Sequence, residues 1–124
     1  MEQKNKISGN CKECGSISPK FMIFNLESLT KDNNCFRNVV ATTNEAQLVI
    51  MKLNQGEELK TEVHHDSTQI IIIRKGKGLC ILNNVEKRVS KGDCIVIPTG
   101  VEHNLIAHET IKLFTFYAGP THVC

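Results

Sequence analysis

The stretch Gln69-Ile-Ile-Ile-Ile-Arg-Lys75 decides the fold, because four consecutive β-branched residues favour a strand. Successive side chains on a strand point to opposite faces. Ile71 and Ile73 therefore share the face of Gln69 and should line the interior, whereas the other two isoleucines lie on the opposite face. Since both faces are apolar, we expect the outer one to be covered too, by a second subunit or by the N-terminal segment.

Short apolar runs of the same kind follow one another along the chain, separated by Gly, Pro and Asn turn signals. The predicted extended segments are 36–43, 46–53, 62–65, 69–75, 79–82, 85–89, 94–97, 104–107 and 111–117, with the apolar run 21–24 as a tenth. Residues 25–34 read as one short helical turn or a loop. Since no stretch of ten residues carries a helical apolar stripe, the pattern predicts an all-β sandwich or barrel.

Length and charge narrow the classes of protein. The 124 residues suffice for one domain, with a polar N-terminal extension over 1–20, expected to be mobile, and a β-domain over 21–124. The net charge of +2 has no basic block behind it, so no nucleic-acid partner is expected. No apolar run approaches a membrane span of about 20 residues. The first twenty residues lack the apolar core of a signal peptide, which favours an intracellular, cytoplasmic protein.

A small set of polar residues is not explained as surface, namely Glu62, His64, Gln69 and His103. Glu62 and His64 are two residues apart and would point the same way on a strand, whereas His65 would point outward or into an interface. Imidazole and carboxylate groups that converge from two strands suit a divalent transition metal. The sequence therefore predicts a metal site built from these four residues.

Two motifs in the same region resemble those of the cupin family. The first is Gly56-x5-Glu62-x-His64-x4-Gln69-x6-Gly76, and the second is Gly92-x5-Pro98-x-Gly100-x2-His103-x3-Ala107. The resemblance implies a double-stranded β-helix, the jelly-roll barrel of the cupins. Glu62 stands where the family usually has its first histidine, Gln69 where it has glutamate, and Ala107 where it has asparagine. The Glu-Val-His…Gln pattern is similar to a subgroup described as mannose-6-phosphate isomerase-like.

Two imidazoles and one carboxylate remain in this set, as in many metal sites, and Gln69 can add an amide oxygen. The expected cofactor is Mn, Fe, Ni or Zn, and the expected ligand is a small molecule in the barrel mouth, with a sugar derivative as one reading. An isomerase-like or oxygenase-like activity is compatible with this site, although no spare catalytic base is evident. The alternative is a non-enzymatic module, ligand-binding or dimerising, with a degenerate, metal-free pocket. A homodimer is expected because the isoleucine strand is apolar on both faces.

Cysteines form a further candidate site at the two ends of the chain. Cys11-x2-Cys14 resembles half of a zinc knuckle, and the chain ends with His122-Val-Cys124. A second zinc site of these four residues is chemically possible, because chain termini often lie close together. The spacing of its second half fits no standard knuckle, which favours incidental cysteines or a disulfide formed on oxidation. The remaining Cys80 and Cys94 lie in apolar, strand-like contexts and are predicted to be buried free thiols.

Overall fold

The computed structural model describes residues 11–14, 17 and 21–120. In this part of the chain one short helix precedes nine strands. The elements are α1 (Leu26–Asp32), β1 (Arg37–Thr42), β2 (Ala46–Leu53), β3 (Glu58–Glu62), β4 (Thr68–Lys75), β5 (Lys77–Leu82), β6 (Val85–Ser90), β7 (Cys94–Ile97), β8 (His103–Ala107) and β9 (Ile111–Ala118). No helix among these residues is both long enough and apolar enough to cross a membrane.

The strands form two antiparallel sheets, a five-stranded sheet in the order β1-β2-β9-β4-β7 and a four-stranded sheet in the order β3-β8-β5-β6. Apolar side chains from both sheets form one continuous core. Its buried members are Val39, Val49, Met51, Leu53, Ile71, Ile73, Cys80, Val89, Ile95, Ile97, Leu105, Ala107, Ile111 and Leu113. The predicted all-β jelly roll is therefore confirmed.

Strand β4 occupies an interior position in its sheet, between β7 and β9. Gln69, Ile71 and Ile73 are all buried, so the predicted inward face is confirmed. Ile72, on the outer face, packs against a second cluster that contains Leu29 of α1. The chain's own N-terminal segment therefore covers this part of the outer face, which is one of the two coverings expected from the sequence.

Helix α1 lies where one short helical turn or a loop is expected over 25–34, whereas the apolar run at 21–24 forms no strand. The side chain of Asn25 accepts a hydrogen bond of 2.8 Å from the backbone N–H of Ser28 and caps the first turn. One turn later Leu29 is buried against Ile50 and Phe114 on the outer face of the five-stranded sheet. The helix forms because a capping residue precedes a short segment whose apolar side chains can reach that face.

The two thiols predicted to be buried differ in exposure. Cys80 is buried, and desolvation raises its pKa above the usual value for a thiol. Cys94 is exposed, so its predicted burial is wrong. Strand β7 is an edge strand whose Ile95 and Ile97 face the core, which leaves Cys94 and Val96 on the open side.

Replacing Leu29 with alanine tests whether α1 is an integral layer of the fold. Leu29→Ala should lower the free energy of unfolding by about 2–4 kcal/mol, since it empties a buried site between the helix and the sheet. Ile23→Ala is the matched control, because Ile23 is 77% exposed, and it should change stability by less than about 0.5 kcal/mol. Denaturant unfolding measures both, and equal, small losses would mean that the helix contributes little.

Candidate metal centre

Side chains from a loop and three strands meet at one end of the barrel interior. The ring centroids of His64 and His103 are 5.1 Å apart, and those of His64 and Tyr117 are 5.3 Å apart. The Gln69 amide nitrogen lies 3.3 Å from the hydroxyl of Tyr117, its partner across the sheet. Three of the four residues predicted to bind metal are thus close together, and Tyr117 joins them.

His64 reaches this cluster from a loop rather than from a strand. The predicted extended segment 62–65 is wrong in its bounds, because β3 ends at Glu62 and its pairing with β8 ends at His103. The Gly100 N–H donates a 2.8 Å hydrogen bond to the His64 carbonyl, and Gly100 adopts φ +86°, a conformation that favours glycine. A turn of the second motif therefore holds His64, and His65 is exposed.

The imidazole of His103 has a defined orientation. Its Nδ1 lies 3.0 Å from the carbonyl oxygen of Val101, which can only accept a hydrogen bond. Nδ1 therefore carries a proton, and the buried Nε2 is the ring nitrogen that can bind a metal. Metal-binding histidines usually donate their second ring nitrogen to a carbonyl or carboxylate in this way.

The side-chain amide of Gln69 is oriented by a chain of hydrogen bonds. The Thr115 hydroxyl donates to the Ile70 carbonyl at 2.9 Å, so it can only accept from the Gln69 amide nitrogen, 3.0 Å away. This identifies the nitrogen side of the amide and leaves Oε1 as the opposite atom. The Gln69 Oε1 is buried and has no hydrogen-bond partner among the described residues. An acceptor buried in this way costs stability unless a cation or a donor meets it.

Glu62 is the fourth predicted ligand, and its backbone pairs with that of His103 across β3 and β8. Its side chain lies outside the described part of the structure. Among the described residues, no group of three or more His, Cys, Asp or Glu side chains is arranged to hold a metal ion. The described groups in the barrel that can bind a metal are thus two imidazoles and the Gln69 amide oxygen.

Sequence reasoning missed three residues that shape this site. Thr115 orients Gln69, Tyr117 contacts both Gln69 and His64, and the Arg37 guanidinium carbon lies 5.9 Å from the centre of the Tyr117 ring. Tyr117 is the single tyrosine of the chain, and Thr115 is a hydroxyl within an apolar strand. Both are polar residues on the otherwise apolar inward face of β9. This pattern is the signal by which sequence reasoning could have found them.

Comparison with known protein families shows which family this chain belongs to. The Cupin_2 family, described as the cupin domain, matches residues 49–117. The protein belongs to the cupin family. The matched segment contains both motifs and all four predicted barrel residues.

Relatives of this cupin are found among curated proteins and solved structures. The uncharacterized protein YrkC of Bacillus subtilis is 32% identical over 84% of this chain, which spans about 60% of the length of YrkC. The crystal structure of BH2720 from Bacillus halodurans is 28% identical, with a TM-score of 0.78 over 84% of this chain and 85% of the other. Salicylate 1,2-dioxygenase from Pseudoaminobacter salicylatoxidans, solved as adducts with gentisate, shares the fold at 24% identity, with a TM-score of 0.58 over 61% of this chain and 20% of the other.

Thr115→Val tests the orientation of Gln69. The substitution keeps the side-chain volume but removes the hydroxyl that bridges Gln69 and the Ile70 carbonyl, so we expect a loss of about 1–3 kcal/mol in the free energy of unfolding. Thr61→Val, on an exposed position of β3, is the matched control and should be close to neutral. Chemical denaturation compares the two variants, and a neutral Thr115→Val would show that the amide is held by other contacts.

Proposed function

We propose that this cupin binds a divalent transition metal in its barrel through His64, His103 and Gln69, with Glu62 as the carboxylate ligand. The observations that support this most strongly are the orientation of His103 by the Val101 carbonyl and a buried Gln69 Oε1 that has no hydrogen-bond partner among the described residues. A cation bound in this cluster would satisfy the Gln69 Oε1. The set of two imidazoles, an amide oxygen and a carboxylate favours Mn, Fe, Ni or Zn over Ca, which prefers all-oxygen shells.

The bound metal would act as a Lewis acid that polarises a carbonyl or phosphoryl oxygen of the ligand. The residues of the chain would bind and orient that ligand. Tyr117 offers a hydroxyl at the edge of the cluster. The half-buried Arg37 places a positive charge over the Tyr117 ring. A guanidinium over the Tyr117 ring favours a small molecule that carries a carboxylate or phosphate group.

A sugar acid or a sugar phosphate would satisfy both this charge and the sugar-related function expected from the sequence. Gentisate, present in the salicylate 1,2-dioxygenase structure, is a small molecule associated with the same fold. The isomerase-like subgroup and the oxygenase-like alternative both remain predictions, since the described cluster offers no carboxylate that could act as a base. The metal-free, non-enzymatic module is the function that a negative metal test would favour.

Metal-dependent melting of matched histidine variants tests this proposal. Added Mn²⁺, Fe²⁺, Ni²⁺ or Zn²⁺ should raise the melting temperature of the metal-stripped protein at neutral pH, since a metal at 100 times its Kd stabilises the native state by about 2.7 kcal/mol. His64→Ala and His103→Ala should each abolish the rise, whereas His65→Ala, at an exposed neighbouring position, should retain it. The rise should also shrink in mild acid, because protons compete with the metal for imidazole.

A protein stripped of metal by chelation that shows no rise with any of the four ions has a degenerate pocket. A rise that survives in both His64→Ala and His103→Ala places the metal elsewhere in the chain. Either result contradicts the proposed barrel site.

We also propose a homodimer through the part of the outer sheet face that α1 leaves open. Val96, Ile70 and Phe116 form a row across β7, β4 and β9; Phe116 packs against the cluster that contains Leu29, whereas Val96 at the other end is 56% exposed. An apolar row of this kind on the outer face of a sheet is suited to packing against a second copy of the same row.

Light scattering of two lysine variants tests the dimer. Val96→Lys should shift the protein to monomer, because it places a charge at the exposed end of the apolar row. Val85→Lys is the matched control, since Val85 is 55% exposed on β6 of the other sheet, and it should leave the dimer intact. Monomeric wild-type protein at all concentrations would rule the dimer out.

A further inference from the structure

Cys11, Cys14 and Cys35 lie outside the proposed barrel site and take no part in the proposed function. A disulfide joins Cys11 to Cys35, whose Cα atoms are 5.6 Å apart. Cys14 is disulfide-bonded as well, and among the five described cysteines only Cys80 and Cys94 are free thiols. From the sequence, a site of Cys11 and Cys14 with His122 and Cys124 is chemically possible, and the last two residues lie outside the described residues. The structure brings Cys35 to this segment.

We propose that Cys11, Cys14 and Cys35 are the ligands of a structural zinc site in the reduced protein, separate from the barrel. Two sulfurs from a Cys-x2-Cys turn and one from a second segment supply three of the four positions of a tetrahedral structural zinc site. Two thiolates on one zinc ion lie about 3.8 Å apart, because each Zn–S bond is about 2.3 Å long in a tetrahedral set. Side chains on the Cα atoms of Cys11 and Cys35 reach that separation by torsion alone.

The segment that carries the Cys-x2-Cys pair is fixed by its backbone. The Val39 N–H donates to the carbonyl of Lys12 at 2.6 Å, the Lys12 N–H donates to Asn38 Oδ1 at 3.1 Å, and Arg37 Nε donates to the carbonyl of Glu13 at 3.3 Å. Lys12 and Glu13 are the two residues between the paired cysteines. Their backbones therefore hold both cysteines beside the edge strand β1.

Cys35 is fixed from the opposite side. The Asn33 side chain donates to the Cys35 carbonyl at 2.8 Å and accepts from the Cys35 N–H at 3.2 Å. Asn33 is itself buried next to the end of α1. Both halves of the proposed site are thus pre-positioned by contacts that do not involve sulfur, which is what a metal site requires of its supporting residues.

A sulfur-bound cross-link would add to the hydrogen bonds that hold this segment. Residues 11–14 are all exposed, so they bury no apolar surface that would hold them against the sheet. Short segments without a core of their own are commonly held by a disulfide or a structural metal. In a reducing compartment, the location expected from the sequence, thiols persist and a metal is the available link.

The disulfide between Cys11 and Cys35 is the oxidised form of two of the proposed ligands. With Cys11 and Cys35 joined, the described residues hold no group of three metal-binding side chains. Reduction must open this disulfide and also that of Cys14; for each S–S bond a dithiol reductant gives two electrons and two protons and is itself converted into a disulfide. Zinc binding then displaces the thiol protons.

Cobalt binding to the reduced, full-length protein tests the site, because thiolate–cobalt charge transfer in the near ultraviolet reports sulfur ligands that the barrel set lacks. After reduction and chelation, wild-type protein should bind about one equivalent of Co²⁺ with this signature, and Zn²⁺ should displace it. Cys14→Ser and Cys35→Ser should lose the signature. Cys94→Ser removes an exposed free thiol and should retain it.

No thiolate signature in the reduced wild type overturns the proposal, as does a signature that survives in Cys14→Ser or Cys35→Ser. A Cys11–Cys35 disulfide that resists excess dithiol in the folded protein also overturns it, because the bond is then a permanent cross-link. Circular dichroism of each variant shows that a lost signature does not come from unfolding. If the barrel binds no metal, this test is unaffected, because the proposed barrel ligands are nitrogen and oxygen atoms and give no thiolate signature.

Discussion

The alternation of side chains along β4 is the constraint on which the rest of this structure depends. On one face Gln69, Ile71 and Ile73 enter the barrel, and on the other Ile72 packs under the N-terminal helix. A slip of one residue would exchange the faces, so that Gln69 would leave the site and the helix would lose its apolar contact. The core, the outer layer and the candidate metal centre therefore share a single register.

In the polar cluster at the end of the barrel, hydrogen bonds hold the side chains in fixed orientations. Thr115 and Val101 each commit one hydrogen bond to a neighbouring side chain, and they thereby direct the Gln69 amide oxygen and the His103 Nε2 into the interior. A buried acceptor that lacks a donor costs about 1–3 kcal/mol. An arrangement that bears this cost while fixing each donor atom is typical of a binding site rather than of a core, where an apolar side chain would be more stable.

The sequence predicted the features that depend on local pattern. The isoleucine run, the turn residues and the two motifs identified the β-domain, the inward face of β4 and the jelly-roll class. The sequence did not predict the features that depend on distant contacts. Leu29 of α1 packs on the outer sheet face, β3 ends where Glu62 pairs with His103, and Cys11 forms a disulfide with Cys35.

The same distinction holds within the site. Spacing alone identified His64, Gln69 and His103, since the motif positions carry them. Tyr117 and Thr115 lie nearly fifty residues from Gln69 in the chain and meet it only through the pairing of β4 with β9. Their contribution is set by sheet register, which a single sequence does not state.

Anomalous diffraction from a crystal soaked with Mn²⁺ or Zn²⁺ at neutral pH tests the central claim most directly. The account predicts one strong peak inside the barrel, about 2.0–2.2 Å from a ring nitrogen of both His64 and His103 and within bonding distance of the Gln69 Oε1. It would be contradicted by a barrel without a peak in which the Gln69 Oε1 accepts a hydrogen bond from water or from a protein group.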